Sequence, residues 1–427
     1  MFRALALTTA LALLMTPVAA HASSSGGPPL GRQVLPAGDG WGSAGTGTTG
    51  GSAAPARNVH VVSTRAQLVA ALAAPGPRII LVKGTIDGND SMTCADYATG
   101  GYTLEAYLAA YDPAVWGRDA EPSGPLEDAR AASAARQTAQ IKLKVPGDTT
   151  IAGLGDDAVL KGLNLHIDKV DNVIVRNITF VDAADCFPQW DPTDGAEGNW
   201  NSLYDNISVT GSTHVWIDHN TFTDGDNPDS AQPRYFGRPY QVHDGQLDIT
   251  AGSDFVTASW NRFSGHDKTM LIGSTNNPAT DAGKLNVTVH HNHFENVLQR
   301  LPRVRFGKVH VYNNYYELGE DLVYALGVGV QSQIFAESNV YRLARAVEPS
   351  RLVYDWGGTA LTARNDLLRV GGKTKPIDVV AAYNAAHDPD LGTDAGWTPT
   401  LHTGIDPAWS VPLLGVPARR RGRGRLR

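Results

Sequence analysis

A short strand pattern that ends in asparagine, one further residue and an aromatic side chain recurs through the second half of the sequence. Six segments have this form, and they end at Phe180, Phe222, Phe263, Phe294, Tyr316 and Tyr341. Five of them place an asparagine two residues before the aromatic, at Asn220, Asn261, Asn292, Asn314 and Asn339. These asparagines are 41, 31, 22 and 25 residues apart. The shortest interval matches one small supersecondary unit, so the pattern predicts a solenoid of stacked coils.

A second repeated word supports the same register. Gly-Ser ends a strand three times, at Gly211-Ser212, Gly252-Ser253 and Gly273-Ser274. Equivalent residues of neighbouring coils would lie ~4.8 Å apart. The repeated asparagines can then bond one another at one bend, while the aromatic rings stack inward. A β-sandwich with Asn-rich turns is the alternative, although sandwiches rarely repeat one word at fixed intervals.

The first 22 residues have the form of a signal peptide. Arg3 supplies a positive charge, residues 4–15 a short apolar run, and Ala20-His21-Ala22 a small-residue cleavage site. No later stretch approaches ~20 consecutive apolar residues. We therefore expect the mature protein to be secreted and extracellular, with no membrane contact.

The sequence contains two cysteines, Cys94 and Cys186, which in an exported chain meet an oxidising environment. We predict that they pair. The long loop that they close would add about 4 kcal/mol to the free energy of unfolding in the chain-entropy model. Two separate buried thiols are the alternative.

The formal net charge of −7 is unevenly distributed. The last nine residues contain six arginines, and subtracting those six charges leaves −13 on residues 1–418. We interpret residues 417–427 as a solvated, disordered tail, with adhesion to acidic polymers as a second role. Export and an acidic body argue against nucleic-acid binding. A polyanionic ligand would need local arginine and lysine plus a bound cation, because the overall field does not attract it.

The segments before the repeats differ in character. Residues 23–58 are rich in Gly, Ser, Thr and Pro, a composition typical of a linker. Residues 60–73 predict a strand and then a short helix, with Ser63 or Thr64 as its cap. Residues 104–136 are mixed and partly helical, and we interpret them as an insertion. The repeats, rather than the length, favour one domain over residues 59–416.

Two intervals between repeats are long enough to carry loops that project from one side of the coil. They separate Phe180 from Ser212 and Thr223 from Asp248. Such loops are natural walls of a groove. The second contains an acidic run, residues 224–229, which lacks the closing glutamate of a calcium loop and is interpreted as a polar loop.

Three aspartates and a lysine precede the Gly-Ser positions at short offsets. Asp205, Asp244, Asp248 and Lys268 lie four to eight residues before the glycine of their coil, so stacking would bring them to one edge of one sheet. Oxygen ligands without cysteine or paired histidine favour calcium over zinc or copper. On a straight strand Asp244 and Asp248 would be about 13 Å apart. We therefore predict Asp244 on a turn and Asp248 inside a strand, with a bend at Gly245. Three capping or turn aspartates are the alternative.

The segment RLPRVR, residues 300–305, places three arginines within six residues at the start of a strand. Guanidinium groups are planar and bind carboxylates through two parallel hydrogen bonds, so the segment suits an acidic ligand. An arginine network that braces a turn is the alternative.

The histidines of the repeats, His219, His291 and His293, lie inside the repeated word and are interpreted as satisfied turn or core residues. The sequence contains no Gly-x-Ser-x-Gly motif and no P-loop, and no Gly-rich turn in it joins a predicted strand to a predicted helix as a dinucleotide fingerprint requires. Serine hydrolysis and phosphoryl transfer are therefore disfavoured.

Four long words carry a family resemblance: VWIDHNTFTDG, HDGQLDI, SWNRFSGHDKTMLIGS and RLPRVRFGKVHVYNNYY. In this order they resemble the pectate lyases of polysaccharide lyase family 1, and the resemblance runs from about residue 60 to at least residue 341. It implies an all-β, single-domain, right-handed parallel β-helix with a short N-terminal helix and long loops that form a substrate groove. Residues 39–53 also resemble the family's N-terminal region. This implies that residues 23–58 pack on the domain rather than form a linker.

The same resemblance implies an activity: calcium-dependent β-elimination that cleaves the α-1,4 linkages of de-esterified homogalacturonan (polygalacturonate). The products would be 4,5-unsaturated oligogalacturonides. The matching positions are Arg300 (proposed base), Lys268 and Arg305 (substrate binding), Asp205, Asp244 and Asp248 (calcium), and Asp194 (a second calcium bound with substrate).

The implied chemistry agrees with the residue types. Removing the proton next to a uronate carboxylate requires stabilisation of negative charge, which calcium and Lys268 would supply. Because a guanidinium normally stays protonated, Arg300 as the base implies an alkaline optimum. The alternatives are a pectin lyase acting on methyl esters, a hydrolytic polygalacturonase and a noncatalytic polysaccharide-binding coil. We expect a monomer.

Overall fold

The computed structural model describes residues 29–414. The predicted signal peptide and the arginine-rich tail at 417–427 lie outside these residues. The strands of the described part are, in chain order, β1 (Val59–Val62), β2 (Arg78–Val82), β3 (Thr85–Asp87), β4 (Lys142–Lys144), β5 (Thr149–Gly153), β6 (Val159–Lys161), β7 (Asn164–Asp168), β8 (Asp171–Arg176), β9 (Thr179–Val181), β10 (Gln189–Asp191), β11 (Asn199–Asn201), β12 (Ile207–Thr210), β13 (Thr213–Asp218), β14 (Thr221–Thr223), β15 (Arg234–Tyr235), β16 (Arg238–Pro239), β17 (Leu247–Thr250), β18 (Asp254–Ser259), β19 (Arg262–Lys268), β20 (Leu271–Ile272), β21 (Val287–His290), β22 (His293–Gln299), β23 (Arg303–Val304), β24 (Lys308–Tyr312), β25 (Tyr315–Leu318), β26 (Leu326–Gly329), β27 (Gln333–Glu337), β28 (Val340–Leu343), β29 (Val353–Trp356), β30 (Leu361–Arg364), β31 (Asp366–Val370) and β32 (Lys373–Ile377).

Short helices interrupt the strands. The α-helices are α1 (Arg65–Leu72), α2 (Cys94–Tyr97), α3 (Leu104–Tyr111), α4 (Pro125–Ile141), α5 (Pro278–Asp281) and α6 (Val379–Asn384). Single 3-10 turns are Leu30–Arg32, Trp41–Ser43, Ala56–Asn58, Asp229–Ala231, Pro349–Leu352 and Ala408–Leu413. Among the helices of residues 29–414, none is both long and apolar enough to cross a membrane.

Three long sheets run along the coil. The first has the order β1-β2-β5-β8-β13-β18-β21-β24-β27-β30, and the second has the order β29-β26-β23-β20-β17-β12-β7-β4. The third has the order β3-β6-β9-β14-β19-β22-β25-β28-β31-β32. Successive coils pair in parallel, and the third sheet ends in an antiparallel hairpin of β31 and β32. This topology confirms the predicted right-handed parallel β-helix and rules out the sandwich, whose strands would pair antiparallel.

The repeated asparagines form a buried ladder, as predicted. Each side-chain amide from Asn220 to Asn314 donates to the side-chain oxygen of the next asparagine at 3.0–3.1 Å. The ladder ends where Asn339 donates to Asp366 at 3.2 Å. Burial raises the pKa of Asp366 to about 7. The sequence pattern did not indicate this terminal acid, because Asp366 and Leu368 replace the asparagine and the aromatic residue of the repeated word on the last coil.

The aromatic residues of the repeats stack inside the coil beside this ladder. Ring centroids from Phe180 to Tyr341 follow one another at 4.7–5.0 Å with nearly parallel planes. Their spacing is that of the coils themselves. The Gly-Ser positions are less regular: Ser212 donates its backbone N–H to Ser253 at 3.2 Å, but Ser274 is exposed and does not continue that row.

Residues 29–58 lie against the outer face of the first sheet instead of forming a linker. The backbone N–H groups of Gly42 and Gly51 donate to Thr257 at 3.0 Å and to Thr150 at 2.8 Å. The contact is so close that a Cβ on Gly51 would lie 1.8 Å from a backbone oxygen of Arg78. The strand and helix predicted over residues 60–73 are present as β1 and α1, and Thr64 caps the helix at 3.2 Å.

A lateral aromatic cluster covers one side of the coil. It combines α2, α3 and α4 with the two long loops, and it includes the buried rings of Tyr107, Trp190 and Trp200. The predicted disulfide is present: Cys94 in α2 is bonded to Cys186 in the first loop, and 92 residues separate them in sequence. The cluster therefore attaches one wall of the groove to the coil at several points.

Candidate active site

The predicted carboxylates meet on the outer face of the second sheet. Asp205 lies just before β12, Asp244 just before β17, and Asp248 within β17. Strands β12 and β17 are neighbours, with Ser208 opposite Asp248. One oxygen from each of the three aspartates lies within 4.8 Å of the others. The clustering that the sequence predicted is therefore found, although Asp244 lies in an irregular segment rather than on a turn.

Two of the carboxylates are fixed by short hydrogen bonds. Asp205 accepts from the backbone N–H of Gly245 at 2.9 Å and from the Ser208 hydroxyl at 2.5 Å. Asp248 accepts from the backbone N–H of Leu271 at 3.0 Å. Each of these carboxylates still offers lone pairs to a ligand, since a carboxylate has about four acceptor sites.

Gly245 is required for space rather than for an unusual backbone angle. Its φ is not left-handed, and the chain bends at the next residue, Gln246. A Cβ at position 245 would lie 2.5 Å from Asp248 Oδ1 and 2.7 Å from Asp205 Oδ1. The predicted bend is thus present, but glycine serves to let two carboxylates approach the backbone between them.

Two cations border the carboxylates. Lys268, the last residue of β19, lies 3.1 Å from Asp244 Oδ1. It pairs with Gln299 on β22, which places Arg300 on the next coil, one residue further along. Burial would raise the pKa of Asp244, but Lys268 and Arg300 outweigh that effect and hold the pKa below its usual value.

The pKa values of the other two carboxylates are shifted upwards. Burial, followed by repulsion from Asp244, raises the pKa of Asp205 to about 6. Burial and the charges of Asp205 and Asp244 raise the pKa of Asp248 well above its usual value. Buried like charges are costly unless a cation compensates them. A donor set of carboxylate oxygens only, closely packed around a glycine, therefore fits a hard divalent cation.

Arg300 has an unusual backbone conformation and one unpartnered side-chain nitrogen. Its φ is 61°, a left-handed conformation that is strained for a non-glycine residue. Its Nε is buried and has no hydrogen-bond partner among the described residues. The charge of Arg300 acts on Asp244 and Asp248, and its Nε remains available as a donor to a ligand.

Arg305, in contrast, is partly engaged. It donates to Asn276 Oδ1 and to the Gly273 carbonyl, both at 2.8 Å. Burial, and then the charge of Arg300, lowers its pKa.

Asp194 lies on an exposed turn between β10 and β11, outside the three-carboxylate cluster.

Known proteins resemble this chain over most of its length. The family profile described as pectate lyase matches residues 124–379. A pectate lyase of Bacillus subtilis (strain 168) is 47% identical over 418 residues, which cover 95% of this chain and 96% of that protein. The chain belongs to the pectate lyase family. Pectate lyase D of Dickeya chrysanthemi is 34% identical over 366 residues, 82% of each chain.

Solved pectate lyases share the whole fold. A thermostable pectate lyase has a TM-score of 0.89 and 46% identity, covering 91% of this chain and 97% of its own. A pectate lyase bound to a hexasaccharide has a TM-score of 0.85 and 47% identity, covering 90% and 96%. The protein is therefore a lyase that acts on polysaccharides.

This pectate lyase also has a buried histidine and aspartate network behind the carboxylates, which sequence reasoning missed. His266 faces Asp224 through Nδ1 at 2.8 Å, and its Nε2 contacts the carbonyls of Asp244 at 2.9 Å and Lys268 at 3.2 Å. Both ring nitrogens thus face acceptors, and the ring joins the backbones of a candidate metal ligand and a candidate substrate cation.

His243 extends the same network. Its ring nitrogens lie 3.0 Å from Asp182 and 3.0 Å from Asp229. Burial would lower its pKa, but the hydrogen bonds to these two carboxylates dominate and raise the pKa to about 10. Residues 224–228 form a polar loop, as predicted, but Asp224 within it is buried and belongs to this network. The sequence offered one sign of this network. In HDG (residues 243–245) and in HDK (residues 266–268), the histidine lies within two residues of a predicted site residue.

The histidines of the repeats lie against structural partners, but the prediction that they are satisfied fails for the buried Nδ1 atoms of His219 and His293, which have no hydrogen-bond partner among the described residues. His291 lies 3.0 Å from Asp406, and His293 lies 2.8 Å from Glu317. His219 lies 2.8 Å from Asp218 and stacks on Trp260. None of these contacts reaches the three-carboxylate cluster.

Proposed function

We propose that this pectate lyase is secreted, depends on calcium, and cleaves the α-1,4 linkages of de-esterified homogalacturonan by β-elimination. The products would be 4,5-unsaturated oligogalacturonides. The observation that carries this proposal is the convergence of three carboxylates and two cations at one point of the coil. A pectate lyase of similar sequence and fold binds a hexasaccharide, which supports a sugar chain as the ligand.

Asp205, Asp244 and Asp248 would hold the ion. A bound calcium supplies positive charge that makes the proton next to the uronate carboxylate more acidic. The chain's own contribution begins with Lys268, whose ammonium group can stabilise the negative charge that develops on that carboxylate. Its 3.1 Å contact with Asp244 keeps this ammonium group beside the ion site.

Arg300 is the residue proposed to take the proton. In the elimination, the C5–H bond breaks and its electrons form the C4=C5 double bond as the C4–O bond breaks. The departing oxygen of the next sugar then receives a proton. Arg300 suits the first step because its Nε has no hydrogen-bond partner among the described residues and its guanidinium borders the carboxylates. Its role requires a deprotonated guanidine, so we expect an alkaline optimum. Arg305 would bind substrate, and Asp194 would assist a second ion that arrives with it.

Several further properties belong to the proposal. Export through residues 1–22 would place the chain where the Cys94–Cys186 bond is stable. Polygalacturonate is the expected partner, and the chain is expected to act as a monomer without contact to nucleic acid or membrane. The carboxylate cluster argues against the alternative of a calcium-independent pectin lyase.

The decisive assay is ultraviolet absorbance of the unsaturated product on polygalacturonate and on methylated pectin, with and without chelator. The proposal predicts absorbance on polygalacturonate that chelator abolishes and added calcium restores. Cleavage without ultraviolet absorbance would show a hydrolase. Preference for methylated pectin in chelator would show a pectin lyase, and binding without cleavage would show a noncatalytic coil.

A further inference from the structure

A pocket of about 320 Å³ lies between the N-terminal segment and the outer face of the first sheet. The metal cluster lies on the second sheet, so the two sites are separate. The volume falls at the lower end of the range for small-molecule sites. The wall formed by the N-terminal segment includes Val34, Pro36 and Asp39, and the wall formed by the sheet includes Arg176 and Asp218.

The two charged residues on the sheet wall are engaged with each other. Arg176 donates to Asp218 Oδ2 at 2.6 Å and to Gln33 Oε1 at 2.7 Å. Its guanidinium lies 4.6 Å from the centroid of the Trp216 ring. The other oxygen of Asp218 accepts from the Ser259 hydroxyl at 2.9 Å. The charges of Arg176 and Asp218 therefore compensate each other.

Asp39, on the opposite wall, is a carboxylate without a compensating cation among the described residues. Its Oδ1 lies 3.4 Å from Nε2 of His290, and neither buried atom has a hydrogen-bond partner within residues 29–414. Burial and neighbouring histidines lower the pKa of His290 well below its usual value, so this ring supplies no positive charge. Burial, and then the charge of Asp218, raises the pKa of Asp39 to about 6, although a hydrogen bond from Thr403 opposes this. At neutral pH the pocket therefore contains one uncompensated carboxylate.

This arrangement favours one class of ligand. A largely buried carboxylate is costly, and a cation that binds beside it reduces the cost. The Asp39 side chain is 15% exposed and lines the pocket, so a ligand can reach it. The apolar and aromatic lining from Val34, Pro36 and Trp260 suits a short hydrocarbon stem. A bare metal ion is disfavoured, because in residues 29–414 only the three-carboxylate cluster brings three metal-ligating side chains together.

We propose that this pocket binds an organic cation with N–H donors, an alkylguanidinium or alkylammonium group, beside Asp39. The charge of −13 on residues 1–418 also favours a cation over an anion. A bound cation would connect residues 33–39 to the coil and stabilise the folded protein. The proposal does not depend on the proposed function, because the pocket and the metal cluster lie on different sheets.

Two sources could supply this chemistry. One is a free small molecule, and the other is the arginine-rich tail, which has six arginines in residues 419–427. Thirteen residues follow Leu414, the last described residue. An extended chain of that length spans about 40 Å, which allows an arginine of the tail to return to the coil.

The test is a calorimetric titration of the full-length protein with butylguanidinium, with calcium present so that the carboxylate cluster competes less for the probe. Asp39→Asn keeps the size of the side chain but removes its charge, and it should weaken binding roughly 10- to 100-fold. Val34→Arg places a competing guanidinium at the exposed edge of the pocket and should also weaken binding, which covers the case in which Asp39→Asn fails to fold. Tetramethylammonium has no N–H donor and should bind at least about 10-fold more weakly.

Asp156→Asn is the matched control, because it makes the same change at an exposed aspartate outside the pocket. It should bind butylguanidinium as the wild type does. Equal affinity of the wild type and a folded Asp39→Asn would overturn the proposal. Equal affinity for tetramethylammonium would overturn it as well, since it would show attraction by charge alone.

A chain that ends at Leu414 separates the two sources. If an arginine of the tail fills the pocket, the shortened chain binds butylguanidinium more tightly than the full-length protein does. Equal affinity of the two chains identifies a free small molecule as the ligand. Asp39→Asn must lose the binding in either case, and no binding to either chain would overturn the proposal.

Discussion

Gly245→Ala is the substitution that most sharply tests how the carboxylates are held together. The added methyl group would lie 2.5 Å from Asp248 Oδ1 and 2.7 Å from Asp205 Oδ1. Ordinary contact between the new Cβ and Asp248 Oδ1 begins at 3.4 Å, so this oxygen must move away from the Cβ by about 0.9 Å. Neither carboxylate can move freely, because Asp205 is bonded to the N–H of residue 245 and Asp248 to that of Leu271.

The size of this shift sets the expected effect. Calcium accepts oxygen ligands only within about 2.3–2.6 Å, so a displacement of nearly an ångström removes a ligand from the ion. Loss of groups that orient metal ligands typically costs about 10- to 100-fold in metal affinity. We therefore expect calcium affinity to fall by at least that factor, and activity at limiting calcium to fall with it.

Calorimetric titration with calcium is the measurement, with melting temperature in chelator as the test of folding. Gly404→Ala is the matched control, because a Cβ at position 404 meets nothing within 4 Å. A Gly245→Ala protein that folds normally and binds calcium as tightly as the wild type would refute the reasoning.

Three further predictions concern other parts of the molecule. Arg300→Lys should bind calcium normally in calorimetry but lose roughly 100-fold or more in kcat on polygalacturonate, and near-normal turnover would remove Arg300 as the base. His243 has an ordinary pKa of 6.5 that its carboxylate partners, outweighing burial, raise to about 10. The stability that His243 contributes is therefore complete below pH 6.5 and is lost as the pH rises towards 10. In denaturant unfolding of the chelated protein, the free energy of unfolding should fall over this pH range, and His243→Gln should make that fall smaller. Replacing both Cys94 and Cys186 by serine should lower the free energy of unfolding by about 4 kcal/mol, and equal stability of the two proteins in denaturant would contradict this.

The coil was predictable because the same two residue types, asparagine and an aromatic residue, recur at fixed positions in each repeat. One asparagine and one aromatic per coil specify a bend and a stack, and a ~4.8 Å repeat leaves little choice of geometry. The terminal partner Asp366 and the exposed Ser274 were not predictable in the same way. The end of a repeat has different neighbours, so the word no longer determines the contact.

The metal cluster was predictable in position but not in detail. Offsets from the Gly-Ser words placed Asp205, Asp244 and Asp248 on neighbouring coils, where parallel pairing brings them together. Glycine is needed at position 245 because the carboxylates of Asp205 and Asp248 approach its backbone closely, and sequence spacing does not specify that approach.

Side-chain partnerships outside the repeated word were also beyond the sequence. Asp224 directly follows β14 and His266 lies in the neighbouring strand β19, so the repeat register brings them close, but it does not specify that their side chains bond. Arg303 was visible as one of three arginines, but its contact with the Trp356 ring joins β23 to β29 across the intervening strand β26, which sequence spacing does not specify.

The central claim is that the coil assembles one calcium site from Asp205, Asp244 and Asp248. Anomalous diffraction from crystals soaked in calcium tests it most directly. The account predicts an ion bonded at about 2.4 Å to oxygens of all three carboxylates, with Lys268 and Arg300 beside it. A fully active crystal form whose calcium lies elsewhere, or that binds none, would contradict it.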